Sequence, residues 1–491
     1  MNSLNNNQIR EDISNIFYNK ALWLIIIIAS FFRLFQLNSQ LWLDEFSVIE
    51  ETIRISWLEI VTVWPGAATH ILFEVLANWS SKVFGANEFA IRLPAALFGI
   101  AGVVIVSKLA TRIFSAKAGL FIAALLAFSY HHIFYSQNAR GYTALIFFFL
   151  WSSYLFIRII ENGRIEQKAG LLYCLVTVLT CYSQPFGVFI PAAQFIVAVG
   201  LIVIHSFRAK GESFPIKPFI LWMFTSAIVT LMLYAPFYDG MVGHAKMNID
   251  TPAEGPRFDL SLVIEIVEGL SAAFYGYVGL TIVTIAGLIG MFIWIRANAV
   301  SVFVLMLPIF VQAVVFLIMG VGIHPRYFAI AIPVIYIAGG ITFFVLSDYL
   351  LKKLFSDSRS SHLYHSLILL VVVIVSSYPL IKYYSVPKQD FQGALKIIKQ
   401  VTKKEDIKIG IQTVGPIMRY YGQDFIRVDE LKQLQTLENS GERVWVVMTL
   451  ERIMYVADPA LVQYIRKNYK LLNSLPGTVG DGSIQIYKQL N

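Results

Sequence analysis

Long apolar segments follow one another along most of the chain, from about residue 21 to residue 382, and short polar segments separate them. A run of about 18 or more apolar residues can cross the hydrocarbon core of a bilayer, which is roughly 30 Å thick. The runs lack the alternation of apolar and polar residues that marks the strands of a transmembrane barrel. The pattern therefore predicts a polytopic α-helical membrane protein with about eleven spans, at residues 21–37, 89–111, 118–135, 142–160, 169–183, 186–205, 218–238, 276–295, 299–320, 327–346 and 366–382.

From about residue 385 onwards, the pattern becomes that of a soluble protein. DFQGALKIIKQVTKKED and DPALVQYIRKNYKLL have the spacing of amphipathic helices, whereas IKIGIQTV, RVWVVMTL and GSIQIYKQL have the short β-branched runs of strands. Segments of both kinds in alternation indicate a small α/β domain. We therefore divide the chain into a transmembrane domain at residues 1–384 and a soluble domain at residues 385–491.

The charge distribution predicts the orientation in the membrane. Only 14% of the residues are charged and 57% are hydrophobic, and the net charge is +8. A positive charge can indicate a nucleic-acid partner. Here, however, most Lys and Arg residues lie in alternate short loops, which is typical of a positive-inside topology and excludes a nucleic-acid surface. The N-terminus is therefore predicted to be cytoplasmic, and an odd number of spans predicts an extracytoplasmic C-terminal domain.

The first outer loop, residues 38–88, is long and semi-apolar and contains four tryptophans. Tryptophan favours the interface between membrane and water, so we expect short helices that lie on the bilayer surface. Residues 70–84 could instead form a further short span. That alternative would invert the topology of everything downstream and would break the agreement of the loop charges.

A pair of adjacent carboxylates, Asp44 and Glu45, follows the first span in the segment LWLDEF. An ionised Asp44 could accept a proton from an attacking hydroxyl or help to hold a divalent cation, and Glu45 could assist it. Ionisable residues at a membrane surface are functional candidates. The alternative is a solvated acid pair without a function.

Two basic segments come later on the same predicted side. Arg92 lies a few residues inside an apolar run, where its guanidinium group needs an anion or a carbonyl partner or must reach the interface. The turn YSQNARGY contains Gln137, Arg140 and Tyr142, which are candidates for binding a substrate anion or sugar hydroxyls. A polar hairpin that merely closes two helices is the alternative.

A third candidate segment is GIHPRYF, which opens a late span on the outer face. Arg326 and Tyr327 suit a phosphate held at the membrane surface, and His324 could add a donor. Arg and Tyr also serve as ordinary interfacial anchors at the ends of spans, which is the alternative. The sequence contains no GxxxxGK[ST] loop, no GxGxxG after a strand and no HExxH, so it carries no signature of a nucleotide site or a zinc protease.

Taken in order, these segments resemble the GT-C superfamily of membrane glycosyltransferases, in particular protein O-mannosyltransferases and lipid A aminoarabinose transferases of glycosyltransferase family 39 type. The resemblance covers about residues 20–350, and it is weaker in the tail. The segments that carry it are LWLDE, FGANEFAIRLPAALFGIAGVVIV, YSQNARGYTAL, HPRYFAIAIPVIYIAGG and, in the tail, DFQGALKIIKQ.

The resemblance implies an inverting transfer of a sugar from a polyprenyl-phosphate donor to a lipid, glycan or protein acceptor, on the outer face of the cytoplasmic membrane. It implies that Asp44 is the catalytic carboxylate, with Glu45 as a helper, and that Arg326 holds the lipid phosphate with Tyr327. His70 stands in THIL where the family has an HPPL motif, and Asn138 stands where many members have Glu. The remaining residues that the resemblance assigns to the substrate site are Arg92, Gln137, Arg140, Tyr142 and His324.

No cofactor is implied with certainty, and a divalent cation is left open. The rival interpretation is a transporter or flippase of lipid-linked sugars, which would also need charged groups in the membrane. Transporters are often built from internal repeats and broken helices at the midplane. The sequence has no detectable repeat, and its polar candidates cluster at the predicted outer surface. A catalytically silent scaffold whose tail binds a partner is the other alternative.

Overall fold

The chain folds as two compact bodies in a computed structural model, which describes residues 2–64, 66, 69–207, 214–243, 260–319, 324–354, 358–422, 424–479 and 482–490. We call the first the membrane body; it comprises Met1–Leu37, Ile55–Gly85 and Ala90–Pro379. We call the second the sheet body; it comprises Asn38–Arg54, Ala86–Phe89 and Leu380–Asn491. The sheet body thus includes part of the first loop as well as the tail, and the division at residue 384 stays a prediction.

The membrane body is helical, and its apolar segments form long helices because only intrahelical hydrogen bonds satisfy the backbone in lipid. Three short 3-10 turns, Pro185–Val188, Ala235–Phe237 and Pro325–Phe328, adjoin these helices. The helices are Asn2–Leu34, Trp57–Ile60, Ile71–Phe84, Glu88–Ile113, Ala116–Ala127, Tyr130–Ser136, Tyr142–Asn162, Gln167–Ser183, Phe189–Phe207, Ile216–Tyr234, Leu260–Ser271, Gly276–Met319, Ala331–Leu354 and Ser358–Ser385.

The predicted spans all overlap these helices, and the chain is a multi-pass membrane protein. Within the described residues, six helices are long and apolar enough to cross a membrane, and a seventh span results if Ala116–Ala127 and Tyr130–Ser136, bent by 63°, count as one. Asn298 has non-helical backbone angles and breaks Gly276–Met319 between two predicted spans. The number of eleven spans stays a prediction. Ile71–Phe84 has 14 residues, or roughly 21 Å of helix, and is shorter than a bilayer core.

A fully buried arginine stabilises the bend between Ala116–Ala127 and Tyr130–Ser136. Arg33 donates hydrogen bonds from its two Nη atoms to the carbonyl oxygens of Ala127 (3.1 Å) and Leu126 (3.2 Å), which lie at the break. It also lies 2.8 Å from Nδ1 of His132. A broken helix exposes backbone carbonyls that lipid cannot satisfy, and this guanidinium group replaces the missing helical donors. Arg33 is not predicted as a key residue from the sequence.

The sheet body contains a mixed five-stranded sheet, which confirms the predicted α/β class of the tail. Strands β1 (Ile407–Ile411), β2 (Phe425–Val428) and β3 (Val444–Met448) are parallel, and β4 (Tyr469–Leu475) and β5 (Ile484–Gln489) complete the order β2-β1-β3-β5-β4 with antiparallel pairing. The helices of this body are Leu43–Val48, continued as a π-helix at Ile49–Ile53, and Phe391–Val401, Val414–Gly422, Leu431–Glu438, Glu451–Ala457 and Pro459–Asn468.

The last predicted helix of the tail is wrong at its end. Its apolar spacing continues through NYKLL, but the helix ends at Asn468, and Tyr469 begins strand β4, which pairs with β5. Strand β2 is not predicted at all, because its four residues include exposed Ile426 and Arg427. In both cases, pairing with a neighbouring strand decides the structure, and local spacing does not encode that pairing.

Candidate functional site

The predicted acid pair lies in the first turn of the short helix Leu43–Val48 of the sheet body. Trp42 precedes this helix with an extended backbone and caps it without a side-chain hydrogen bond. Carboxylates in a first turn are favourably placed against the positive end of the helix dipole. Glu45 is fully buried, whereas Asp44 is only partly buried. Of the two acids, Asp44 is therefore the one that solvent or a substrate can reach.

Residues of the tail hold the backbone of this segment from both sides. Gln389 accepts a hydrogen bond from the Leu43 backbone N–H at 2.9 Å, and its own amide donates to Oγ1 of Thr449 at 3.2 Å. The side chain of Gln40 donates to Oδ1 of Asp390 at 2.8 Å. Gln389 and Thr449 are buried, so these bonds are shielded from water. The position of Asp44 is thus fixed by residues that follow the last predicted span.

A partly buried phenol adds a further anchor. Tyr421 accepts a hydrogen bond from the Leu41 backbone N–H at 2.8 Å and donates one to Oε1 of Glu88 at 3.0 Å. Burial raises the pKa of Tyr421 above its ordinary value, and the Glu88 carboxylate raises it further. The phenol therefore remains protonated and keeps its donor role at any physiological pH.

Glu45 faces an ammonium group instead of water. Nζ of Lys388 lies 3.9 Å from Oε1 of Glu45, and the two side chains are 10% and 0% exposed. The same Nζ lies 5.9 Å from the centre of the Trp42 ring, within reach of a cation–π contact. The structure therefore gives Glu45 a charge partner that the sequence does not predict. Lys388 and Gln389 are far from the acid pair in sequence. The only sequence feature that could indicate their role is that they are polar residues just after a predicted span.

In the membrane body, four of the predicted substrate residues come together. The ring of His70 lies 4.9 Å, centre to centre, from that of Tyr142, which in turn lies 4.9 Å from the ring of Tyr135. Arg140 and Arg326 are close enough to act electrostatically on His70. Segments that are far apart in the sequence thus bring two guanidinium groups within electrostatic range of one imidazole, whose ring contacts a phenol.

His70 is neutral in this cluster. It is 2% exposed, and burial, followed by the positive charge of Arg140, lowers its pKa to about 3. A hydrogen bond to the backbone of Ser183 opposes this shift, and the smaller effect of Arg326 adds to the shift. Its Nδ1 atom is buried and has no hydrogen-bond partner among the described residues. A neutral imidazole beside two arginines can contact an anion without adding a third positive charge.

The pKa of His70 predicts a specific pH dependence of stability. The unfolded chain takes up a proton on this residue near pH 6.5, whereas the folded protein does not until about pH 3. The contribution of neutral His70 is therefore complete above about pH 6.5 and is lost as the pH falls from there towards 3, by up to about 1.4 kcal/mol per pH unit. Thermal unfolding in detergent at pH 7 and pH 5 should show a smaller pH difference for His70→Asn than for the unchanged protein. Equal differences would contradict the neutral, buried state.

Arg92 and Gln137 lie at the end of the first helix, Asn2–Leu34. Nη1 of buried Arg92 donates to the carbonyl oxygen of Leu37 at 3.0 Å. The Gln137 amide donates to the carbonyl oxygens of Phe32, Arg33 and Phe35, at 3.1, 3.2 and 2.6 Å. The last carbonyl groups of a helix need donors from outside its own ladder, and both side chains supply such donors at the end of the helix that leads towards Asp44 in the sequence. Their predicted part in substrate binding stays a prediction.

Tyr327 and His324 belong to an aromatic cluster. The Tyr327 ring lies 5.1 Å from that of Phe186 and 5.9 Å from that of Phe316, and the His324 ring lies 5.3 Å from it. The Tyr327 backbone carbonyl accepts a hydrogen bond from Gln312 at 3.0 Å. These contacts fix the 3-10 turn Pro325–Phe328, which carries Arg326.

A divalent cation at the acid pair stays a prediction. Within the described part of the chain, no three side chains among His, Cys, Asp and Glu form a group that could hold a metal ion. Glu45 has the Lys388 ammonium beside it, which competes with a cation for the carboxylate. This donor set does not fit a cation shared by Asp44 and Glu45, and no step below is derived through a metal.

Comparison with known proteins finds a similar family over part of the chain and a curated relative. Residues 69–237 match the family model of dolichyl-phosphate-mannose-protein mannosyltransferases. A dolichyl-phosphooligosaccharide-protein glycotransferase from Pyrococcus horikoshii is 25% identical over 252 residues, which are 46% of this chain and 33% of that protein. The chain thus spans about one third of the length of this curated relative.

Solved structures share the fold over nearly the whole chain. ArnT from Cupriavidus metallidurans in its apo state has a TM-score of 0.55 at 12% identity, and the match covers 97% of this chain and 98% of ArnT. The structure of ArnT bound to undecaprenyl phosphate has a TM-score of 0.51 at 12% identity, and the match covers 96% of this chain and 97% of ArnT. The oligosaccharyltransferase AglB from Archaeoglobus fulgidus, solved with an inhibitory peptide and a dolichol-phosphate, has a TM-score of 0.52 at 13% identity, covering 93% of this chain and 72% of AglB. Residues 69–237 are thus similar to this family of mannosyltransferases, and the chain shares the fold of ArnT and AglB, in agreement with the ordered motifs.

Proposed function

We propose that this protein transfers a sugar from a polyprenyl-phosphate donor to a lipid, glycan or protein acceptor on the outer face of the cytoplasmic membrane. The observation that carries the proposal is that Arg140 and Arg326, from distant segments of the membrane body, both lie within electrostatic range of buried His70. Two guanidinium groups form a positive region, and their planar donor edges match the oxygens of a phosphate. A lipid phosphate is the anion that a membrane protein meets at such a place.

The names of the relatives support the same class of donor. The matching family model and the curated relative are both named for dolichyl-phosphate substrates. The two solved neighbours are described with undecaprenyl phosphate and with a dolichol-phosphate. A polyprenyl carrier is a lipid, and this chain has helices that are long and apolar enough to cross a membrane. Its sequence also lacks a nucleotide-binding motif.

In the proposed reaction, Asp44 accepts a proton from the hydroxyl or amine of the acceptor. At the same time, the oxygen or nitrogen atom of the acceptor attacks the anomeric carbon of the sugar. The bond between that carbon and the phosphate oxygen breaks, and attack from the opposite face inverts the anomeric configuration. Polyprenyl phosphate leaves with the electron pair of the broken bond. Arg140 and Arg326 stabilise the charge that develops on the phosphate, which is the usual task of arginines in group transfer.

A direct assay tests this function against the transporter alternative. Purified protein in lipid vesicles is incubated with polyprenyl-phosphate sugars of several kinds, and the free carrier is measured together with any transferred sugar. We expect the release of polyprenyl phosphate with at least one donor. Movement of an intact lipid-linked sugar between leaflets without release would instead favour a flippase.

Replacing Arg326 by Ala is expected to raise the KM for the lipid donor at least about tenfold, since a charge-assisted hydrogen bond contributes roughly 1.5–3 kcal/mol. Steady-state kinetics with varied donor concentration measure this effect. Arg296→Ala is the matched control, because Arg296 is exposed at the end of a helical segment and stacks on Phe292. An unchanged KM in Arg326→Ala would remove this residue from the phosphate site.

A further inference from the structure

The sheet body contains an open cavity of about 340 Å³ that plays no part in the proposed transfer. Three arginines from separate segments converge on it: one at the end of the 38–54 segment, one in the helix Val414–Gly422 and one in strand β2. The residues that line the cavity are Phe46, Arg54, Pro416, Arg419, Tyr420 and Arg427.

Two of these arginines are anchored through the same atom. Nε of Arg419 donates to the carbonyl oxygen of Phe425 at 3.1 Å, and Nε of Arg427 donates to Oδ1 of Asp429 at 2.8 Å. Among the described residues, no other hydrogen bond or ion pair engages these two guanidinium groups. Within the described part of the chain, each therefore keeps its two Nη groups as a pair of available donors while one hydrogen bond orients its guanidinium group.

Aromatic side chains line the cavity beside the arginines. The rings of Phe46 and Tyr420 meet edge to face, 5.8 Å apart. Burial raises the pKa of Tyr420, and the charge of Glu88 raises it further against a lowering effect of Arg54. The phenol thus keeps its proton and can add one neutral donor to those of the arginines.

Positive side chains predominate in the described part of the cavity lining. Asp429 neutralises part of the charge of Arg427, and Glu88 already accepts the hydroxyl hydrogen of Tyr421. Among the residues that the structure describes, the lining contains three positive side chains and no carboxylate. Like charges held together are unfavourable unless an anion lies between them, and the planar fork of arginine binds phosphate oxygens in pairs.

We propose that this cavity is a second anion site that binds a phosphate or pyrophosphate group, separate from the residues assigned to sugar transfer. The shared chemistry is a tetrahedral oxyanion with at least two oxygens for the Nη donors of Arg419 and Arg427. Two sources can supply it: the headgroup of an anionic phospholipid or a soluble phosphate compound. Neither source requires the transfer reaction, so the site can be tested independently of it.

The test uses the full-length protein in phosphate-free neutral detergent, with pyrophosphate as the probe and titration calorimetry as the measurement. We expect binding that weakens as salt is added and that becomes at least about tenfold weaker in Arg419→Gln/Arg427→Gln, because two pairs of charge-assisted bonds are lost. Arg443→Gln is the matched control, since Arg443 is exposed in the same body and outside the cavity lining. Pyrophosphate binding that is absent, or that the double substitution leaves unchanged, would overturn the proposal.

Two further arms keep the result interpretable. Arg427→Lys retains the charge but removes the fork, so it should bind pyrophosphate more weakly than the unchanged protein and more tightly than the double variant. The thermal unfolding temperatures of Arg427→Lys and of Arg419→Gln alone are compared with that of the unchanged protein, and equal values show that reduced binding does not reflect unfolding.

A second experiment distinguishes the two sources of phosphate. In nanodiscs, phosphatidylglycerol should weaken pyrophosphate binding relative to phosphatidylcholine if a lipid headgroup is the natural occupant. Equal binding in both lipids identifies a soluble phosphate compound instead.

Discussion

Replacing Asp44 by Asn is expected to lower kcat for sugar transfer by at least about a hundredfold while the protein stays folded. The loss of a general base typically reduces a rate by roughly 10²–10⁴. Asparagine has the same shape as aspartate, so the short helix Leu43–Val48 and the hydrogen bonds that hold its backbone should persist. The KM for the lipid donor should change little, because the proposed phosphate ligands are different residues.

Asp424→Asn is the matched control for this experiment. Asp424 is 75% exposed in the same body and faces Lys408 at 3.7 Å, so its substitution removes the same charge from a solvated position. Carrier release by both variants is measured with the donor that the unchanged protein uses best. Substantial turnover in Asp44→Asn would assign the catalytic carboxylate to a different residue.

The helices of the membrane body can be predicted from the sequence because the properties that decide them belong to each segment alone. Length and apolarity alone decide whether a segment can cross a bilayer, and every predicted span overlaps a helix. The break at Asn298 also coincides with the boundary between two predicted spans. The bend that Arg33 stabilises is different, because it depends on carbonyl groups far along the chain, at Leu126 and Ala127. No periodicity encodes such a contact.

The candidate residues could be chosen from the sequence, but their burial and their neighbours in space could not. Composition and order single out Asp44, Arg140 and Arg326, and the family resemblance adds His70. The neutral state of His70 depends on its burial and on two arginines from other segments, and neither is visible in the sequence around it. The ammonium group beside Glu45 likewise comes from the far end of the chain. Geometry of this kind is set by tertiary packing.

Lys388→Met should destabilise the segment that carries Asp44 by about 3 kcal/mol, because it leaves Glu45 as a buried carboxylate without its ammonium partner. Breaking one member of a buried pair is far more harmful than removing both. The double variant Glu45→Gln/Lys388→Met should therefore recover most of the lost stability. Hydrogen exchange of the backbone amides of residues 41–48 measures the local free energy of opening in each variant.

Lys408→Met tests whether the effect comes from burial. Lys408 pairs with Asp424 at 3.7 Å in the same body, but Asp424 is 75% exposed, so water solvates its charge when the lysine is lost. An exposed pair contributes only about 0–1 kcal/mol, and Lys408→Met should leave the exchange of residues 41–48 nearly unchanged. If Lys388→Met and Lys408→Met had equal effects there, or if the double variant were no more stable than Lys388→Met, Glu45 would not depend on Lys388. The pair would then have no part in holding Asp44 in position, and the hydrogen bonds of Gln389 and Tyr421 would have to do so alone.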